Sequence, residues 1–144
     1  MTTLRNILQM KGDDIWSVSP ESTVYDAIKM MADKNVGALL VLEGDKLSGI
    51  ISERDYARKV ILKGKSSKDT RVREIMTSSV VTITPEQSIE ECMGLMTTKH
   101  IRHLPVLEDK KLVGMISIGD VVKAIISEQQ HTIKDLENYI TGGR

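Results

Sequence analysis

Apolar positions along this chain follow two periods in alternation, and the alternation occurs twice. Val24, Ala27, Ile28 and Met31 stand at i, i+3, i+4 and i+7, and Ile89, Cys92, Met93 and Met96 stand the same way, which gives each segment the single apolar face of a helix. A short apolar run closed by proline precedes each, Ile15-Trp16-Ser17-Val18-Ser19-Pro20 and Val80-Val81-Thr82-Ile83-Thr84-Pro85. Both read as strands stopped where the ring fixes φ and removes a donor. Two further strands follow each helix, 38–42 and 47–51 around Glu43-Gly44-Asp45-Lys46, and 104–107 and 112–116 around Glu108-Asp109-Lys110-Lys111, a hairpin in each case. A second helix then carries Tyr56, Ala57, Val60 and Ile61, or Val121, Val122, Ile125 and Ile126.

The unit β-α-β-β-α therefore occurs twice, at an offset of 65 residues that matches Pro20 with Pro85, Leu39 with Leu104, Val41 with Val106 and Leu47 with Leu112. Each copy ends in one signature: Gly49-Ile50-Ile51-Ser52-Glu53-Arg54-Asp55 and Gly114-Met115-Ile116-Ser117-Ile118-Gly119-Asp120. A unit of about 60 residues buries too little apolar surface to be comfortably stable alone. The expected fold class is α+β, with two such units packed sheet to sheet under pseudo-two-fold symmetry. The expected boundaries are 1–69 for the first unit with its N-terminal segment, 70–128 for the second, and 129–144 for a C-terminal helical extension.

Composition narrows the function classes. Of 144 residues, 40% are hydrophobic and 28% charged, as in ordinary globular proteins, and the net charge is zero, so no whole-chain field attracts nucleic acid. Aromatic stacking residues are scarce, with one Trp, three Tyr and no Phe. No stretch reaches the length of a membrane span. With no apolar signal region in Met1-Thr2-Thr3-Leu4-Arg5 and a lone Cys92, a reducing, cytoplasmic setting is the expectation. Cys92 lies on an apolar helix stripe and reads as a small buried hydrophobe rather than a nucleophile. One basic run, from Arg54 through Arg58, Lys59, Lys63, Lys65 and Lys68 to Arg71 and Arg73, is ordinarily a solvated face, although Arg54 and Arg58 adjoin the first signature.

The signature has two readings. Ser-x-x-Asp is a capping box, in which the hydroxyl accepts from the N3 amide and the carboxylate accepts from the serine amide. A strand passing through Gly into a helix N-terminus is also an anion site, where free amides and the helix dipole favour negative charge. Arg54 would add a charge-assisted bond, and an aspartate there suits the two hydroxyls of a ribose.

The doubled β-α-β-β-α unit, both Gly-h-h-Ser-x-x-Asp endings (h, apolar), Arg73-Glu74-Ile75-Met76-Thr77 ahead of copy two and Ile101-Arg102-His103-Leu104-Pro105-Val106 within it resemble the CBS domain. The pair resembles the tandem arrangement called a Bateman module, over about Ile7 to Ile126, and most closely the small stand-alone two-CBS proteins. That resemblance implies a non-enzymatic sensor of adenosine-containing ligands, AMP foremost, with ADP, ATP, NAD(H) or S-adenosylmethionine as others, bound in the cleft between copies and reported to a partner protein.

Carried over by resemblance, one site would use Ser52 and Arg54, with Arg58 nearby, at phosphate, Asp55 at ribose, and Thr77, Val80, Val81, Arg102, His103 and Pro105 from copy two. The other would use Ser117, Gly119 and Asp120 with Ile15, Trp16, Gly37, Ala38 and Leu39 from copy one. Basic residues gather at the first, so phosphorylated nucleotide is expected there, and a less charged adenosine moiety at the second. The longer run Ile7-Leu8-Gln9-Met10-Lys11-Gly12, where copy two has Ile75-Met76-Thr77, leaves the adenine wall of the second site open.

The rival class is a ligand-free interaction module in which the signatures only cap helices. His100 and His103 at i, i+3 do not complete a metal site, and no nucleophile–base constellation is present for catalysis. The segment from Asp120 through Tyr139 reads as one long helix stopped at Gly142-Gly143. Glu128-Gln129-Gln130-His131 interrupt its stripe, so its second half is expected to pack across a dimer or to stand as a solvated helix, and not to finish the core. Resemblance likewise implies a homodimer, commonly closed by two-fold symmetry.

Overall fold

The computed structural model describes residues 2–12 and 14–141. In chain order the elements are α1 (Leu4–Lys11), β1 (Ser17–Val18), α2 (Val24–Lys34), β2 (Ala38–Glu43), β3 (Lys46–Ser52), α3 (Glu53–Tyr56), α4 (Val72–Ile75), α5 (Ile89–Lys99), β4 (His103–Glu108), β5 (Lys111–Ser117) and α6 (Ile118–Ile140). The fold is mixed α+β with two small sheets, β1-β2-β3 and β4-β5. The stop expected at Gly142-Gly143 lies outside the described residues.

Two compact units are present, one formed by Ile15–Val81 and the other by Met1–Asp14 together with Thr82–Arg144. The segment ahead of each copy thus folds against the other copy's body. Leu4-Arg5-Asn6-Ile7-Leu8 and Val72-Arg73-Glu74-Ile75-Met76 are equivalent pieces and dock equivalently. Thr3 bridges Ser88 as Arg71 bridges Thr23; Arg5 pairs with Glu86, and also Glu108, as Arg73 pairs with Glu21. Leu4 and Ile7 in one unit, and Val72 and Ile75 in the other, are buried by this docking. A boundary at 69/70 leaves each leading segment with its own copy, whereas each packs with the other, because the period of the sequence does not reveal which body a leading helix covers.

In the unit 15–81, Val24, Ala27 and Met31 of α2 meet Leu39, Val41 and Ile51 of the hairpin, with Val60, Val72 and Ile75 closing the core. Thr23 caps α2 by accepting from the Asp26 amide, and Asn35 ends it in the left-handed region at φ 55°. The other unit repeats this, with Ser88 capping α5 and His100 at φ 55° in the C-terminal position. The apolar stripe of α5 buries Ile89, Cys92 and Met96.

Two expectations are corrected. The run from Val80 to Pro85 makes one bridge, Ile83 to Val106, instead of a strand. In copy one the Leu40 amide donates to the Trp16 carbonyl at 3.3 Å. Pro105 stands at the equivalent place and has no N–H to give, so the ladder loses that rung. Secondly, the helix after the first signature is a single α-turn that widens into a π-turn over Ala57–Ile61, with the Leu62 amide donating to the Ala57 carbonyl at 3.1 Å. The longer run Ile7 to Gly12 is helical as far as Lys11, and Gly12 ends it at φ 87°.

Candidate functional site

Each signature leaves the hairpin's last strand and starts a helix, and both form the capping box. Ser52 Oγ accepts from the Asp55 amide at 3.2 Å, and Asp55 Oδ2 accepts from the Ser52 amide at 3.0 Å and from its hydroxyl at 3.1 Å. Ser117 Oγ accepts from the Asp120 amide at 3.1 Å, and Asp120 Oδ2 accepts from the Ser117 amide at 2.8 Å. Ahead of each box a neighbour approaches the glycine closely, backbone at Gly49 and a movable side-chain end at Gly114. A Cβ on Gly49 would lie 2.6 Å from the Thr77 carbonyl oxygen, and one on Gly114 2.6 Å from Leu8 Cδ2.

The signature sits beside the start of its own copy's hairpin. Ala38 is in register with Ser52, and the Gly37 carbonyl accepts from the Glu53 amide at 3.0 Å. His103 is in register with Ser117, and the Arg102 carbonyl accepts from the Ile118 amide at 2.8 Å. One unit therefore gathers Ser52, Asp55, Gly37 and Ala38 with exposed Arg54 and Arg58. Thr77 lies in the same unit, exchanging two backbone bonds with Ile50 at 3.0 and 2.9 Å. Ile15, Trp16, Val80 and Val81 belong to it too and are half-buried, while Leu39 is core. Lys34 Nζ sits 4.2 Å from the Trp16 ring centroid, a cation–π contact. The other unit gathers Ser117, Gly119, Asp120, Arg102 and His103, with Pro105 buried.

The carboxylates differ in their cation. Asp55 Oδ1 pairs with Lys59 of its own helix at 3.1 Å, and Lys59 also donates to the Ile75 carbonyl at 2.8 Å. Asp120 Oδ2 pairs with Lys11 from α1 at 2.7 Å, and Lys11 also donates to the Met115 carbonyl at 2.6 Å. Met115 is equivalent to Ile50, so the lysine occupies the strand edge that Thr77 covers in copy one. Burial acts to raise the Asp120 pKa, but the Lys11 ammonium and the Ser117 amide and hydroxyl outweigh it, and the carboxyl is held below its ordinary value. His103 is lowered, first by burial and then by Lys11 and Arg102 against the opposing pull of Asp120.

Both lysines were absent from the expected site. Lys59 was visible in principle as the i+4 partner of Asp55; Lys11 had no local signal, being 109 residues from its carboxylate. Burial pushes the Cys92 thiol up to about 11, which suits a core residue and not a nucleophile. Among the described residues there is no group of three or more His, Cys, Asp or Glu arranged to hold a metal, and no helix long and apolar enough to cross a membrane.

Two repeated bodies, one β-α-β-β-α and the other with a single bridge at Ile83 in place of the first strand, are each closed by Gly-h-h-Ser-x-x-Asp and capped by the leading helix of the other copy, and they match the CBS domain model over residues 5–62 and 72–127. The chain belongs to the CBS-domain family. It is a CBS pair, a regulatory module. It is 46% identical over 151 residues to the mitochondrial CBS domain-containing protein CBSX3 of Arabidopsis thaliana, covering 99% of this chain and 73% of that protein. It is 35% identical to the CBS domain-containing protein YhcV of Bacillus subtilis, covering 73% of this chain and 74% of that protein. Among solved structures, a protein with CBS domains from Burkholderia ambifaria superposes with a TM-score of 0.86 at 55% identity, covering 89% of this chain and 96% of that one. The CBS pair of protein MJ0100, solved in complex with 5′-methylthioadenosine and S-adenosyl-L-methionine, shares the fold at 23% identity and a TM-score of 0.79, over 89% of this chain and 98% of that one.

Proposed function

We propose that this CBS pair is a sensor that binds an adenosine nucleotide at its signature ends and passes the occupancy to a partner protein, with no chemistry of its own. One observation carries the reading. In copy one a helix N-terminus, an aspartate held in place through Oδ2, and the exposed Arg54 and Arg58 stand together. Helix amides and guanidinium groups are complementary to phosphate, and the fixed carboxylate is complementary to a ribose diol. AMP is the first ligand to test, followed by ATP and NAD(H). Thr77, Val80, Val81, Arg102, His103 and Pro105 are assigned to the same ligand, and Ile15, Trp16, Gly37, Ala38 and Leu39 to the ligand of the copy-two signature.

Each aspartate carries an ion pair that a ribose would meet, Asp55 to Lys59 and Asp120 to Lys11. Copy one is proposed as the stronger site for a phosphorylated ligand because Arg54 stands where copy two has Gly119. The reducing compartment is placed in the cell interior, cytoplasmic or organellar.

Thermal unfolding with AMP, ADP, ATP, NAD(H) and S-adenosylmethionine at millimolar concentration tests the reading. A ligand present at 100 times its dissociation constant stabilises the native state by about 2.7 kcal/mol, so a clear rise in midpoint is expected for at least one. No rise with any ligand would contradict it and favour the second reading, a ligand-free interaction module. That alternative draws its support from the two complete capping boxes, which already satisfy both serines and both aspartates.

A further inference from the structure

The second half of α6 has no support from its own unit. Every residue from Gln129 to Thr141 is exposed, and helices in proteins draw most of their stability from packing an apolar face. Yet the exposed face is apolar. Val122, Ile126, Ile133, Leu136 and Ile140 are 46 to 80% exposed. With Gln129 they are spaced 4, 3, 4, 3 and 4 residues apart, which is the heptad seam of a coiled coil with Ile126, Ile133 and Ile140 at a and Val122, Gln129 and Leu136 at d. The seam runs over both the anchored and the unsupported half of the helix.

The flanking positions choose the occupant. Positions e are Lys123, Gln130 and Glu137, and these are exposed, with no ion pair to Lys123 or Glu137 among the described residues. This row is cationic at one end, neutral at its centre and anionic at the other, so it is complementary to itself reversed. Position g matches this, because Tyr139 would cover the half-buried Ile125. We infer that α6 docks on α6 of a second copy of this chain, antiparallel and centred near Gln130. Lys123 then faces the partner's Glu137 twice over, and Ile126 packs on the partner's Leu136. Ile140 packs on the partner's Val122. A parallel pair would leave Lys123 and Glu137 about 21 Å apart along the axis, unable to interact.

Sedimentation velocity across a concentration series, at low salt, tests this with Lys123→Glu, Glu137→Lys and the double reversal. All three changes are at exposed positions and outside the signature ends. The wild-type chain should be dimeric; either single reversal should weaken dimerisation by about tenfold or more, since two attractive pairs become repulsive, and the double reversal should restore it. A monomeric wild type, single reversals without effect, or a double reversal that fails to restore the dimer would each overturn the inference.

Discussion

The two signature ends share a capping box and differ in what holds the aspartate. In copy one the cation is Lys59, one turn along the same helix, and the strand edge beside it is sealed by the backbone of Thr77. In copy two the cation is Lys11, delivered by a helix that belongs to the opposite end of the sequence, and the same edge is met by that lysine. A repeated sequence therefore produced two chemically different ends, because each copy's leading segment covers the other copy and the two leading segments differ in length and sequence. Copy one carries the exposed Arg54 and Arg58 in the same helical segment as a locally paired carboxylate. Copy two keeps its carboxylate paired with an ammonium near a half-buried histidine whose pKa is lowered, chiefly by burial.

The largest test of this difference lies at the signature glycines. Gly49→Ala drives a Cβ into the Thr77 backbone, which cannot rotate away, whereas Gly114→Ala meets only the end of the flexible Leu8 side chain. Denaturant unfolding should show a loss of about 2–3 kcal/mol for Gly49→Ala and under about 1 kcal/mol for Gly114→Ala. Equal costs would show that the two leading segments dock with the same rigidity.

Removing the lysines comes next. Lys11→Ala leaves a largely buried carboxylate without its cation, and after solvent screening of the partly exposed lysine the expected cost is about 0.5–1 kcal/mol. The Asp120 pKa should climb back toward or above the ordinary carboxylate value, read by NMR titration of its side chain. Because that pKa is depressed in the folded protein, the stability it contributes is present above pH 3.8 and lost as pH falls through the folded value. Lys11→Ala should flatten that acid limb, and Lys59→Ala should leave it in place.

A milder pH effect separates the copies through His103, whose counterpart is Ala38. Its folded pKa is below 6.5, so the unfolded chain binds the proton first as pH drops. Stability should be full above pH 6.5 and decline as pH falls from there through the folded value. His103→Ala should remove that decline in stability curves measured between pH 7.5 and 5.

The smallest change concerns the hairpin turns. Gly44 takes φ 61° in copy one, whereas copy two uses Asp109 and Lys110 at 52° and 66°. Lys110→Gly should stabilise by up to about 1 kcal/mol, because glycine adopts this region without strain. An unchanged midpoint would mean that the turn carries no such strain.

Residues that act through near neighbours were readable from the chain. The strands of both hairpins fall within two residues of their expected ends, and the helix stripes bury Val24, Ala27, Met31, Ile89, Cys92 and Met96, with Ile28 half-buried and Met93 exposed at the edge of the face, because their period reports a local face. The Ser-x-x-Asp boxes were readable for the same reason. Exchange of the leading helices was not, since docking of Leu4 and Ile7 onto a body 80 residues later leaves no periodic trace. The missing strand at Val80 was readable in hindsight from Pro105, whose absent donor matters only once the parallel register is known. Lys11 at Asp120 depended on that same exchange.

Calorimetric titration of AMP into the wild-type chain, Asp55→Ala and Asp120→Ala tests the sensor role and the inequality of the two ends together. Binding is expected in the wild type, abolished by Asp55→Ala and changed far less by Asp120→Ala. If the aspartates serve only as caps, Asp55→Ala would cost about 1 kcal/mol of stability and leave the titration unaltered. That result, or binding that depends on Asp120 alone, would contradict the role assigned to copy one.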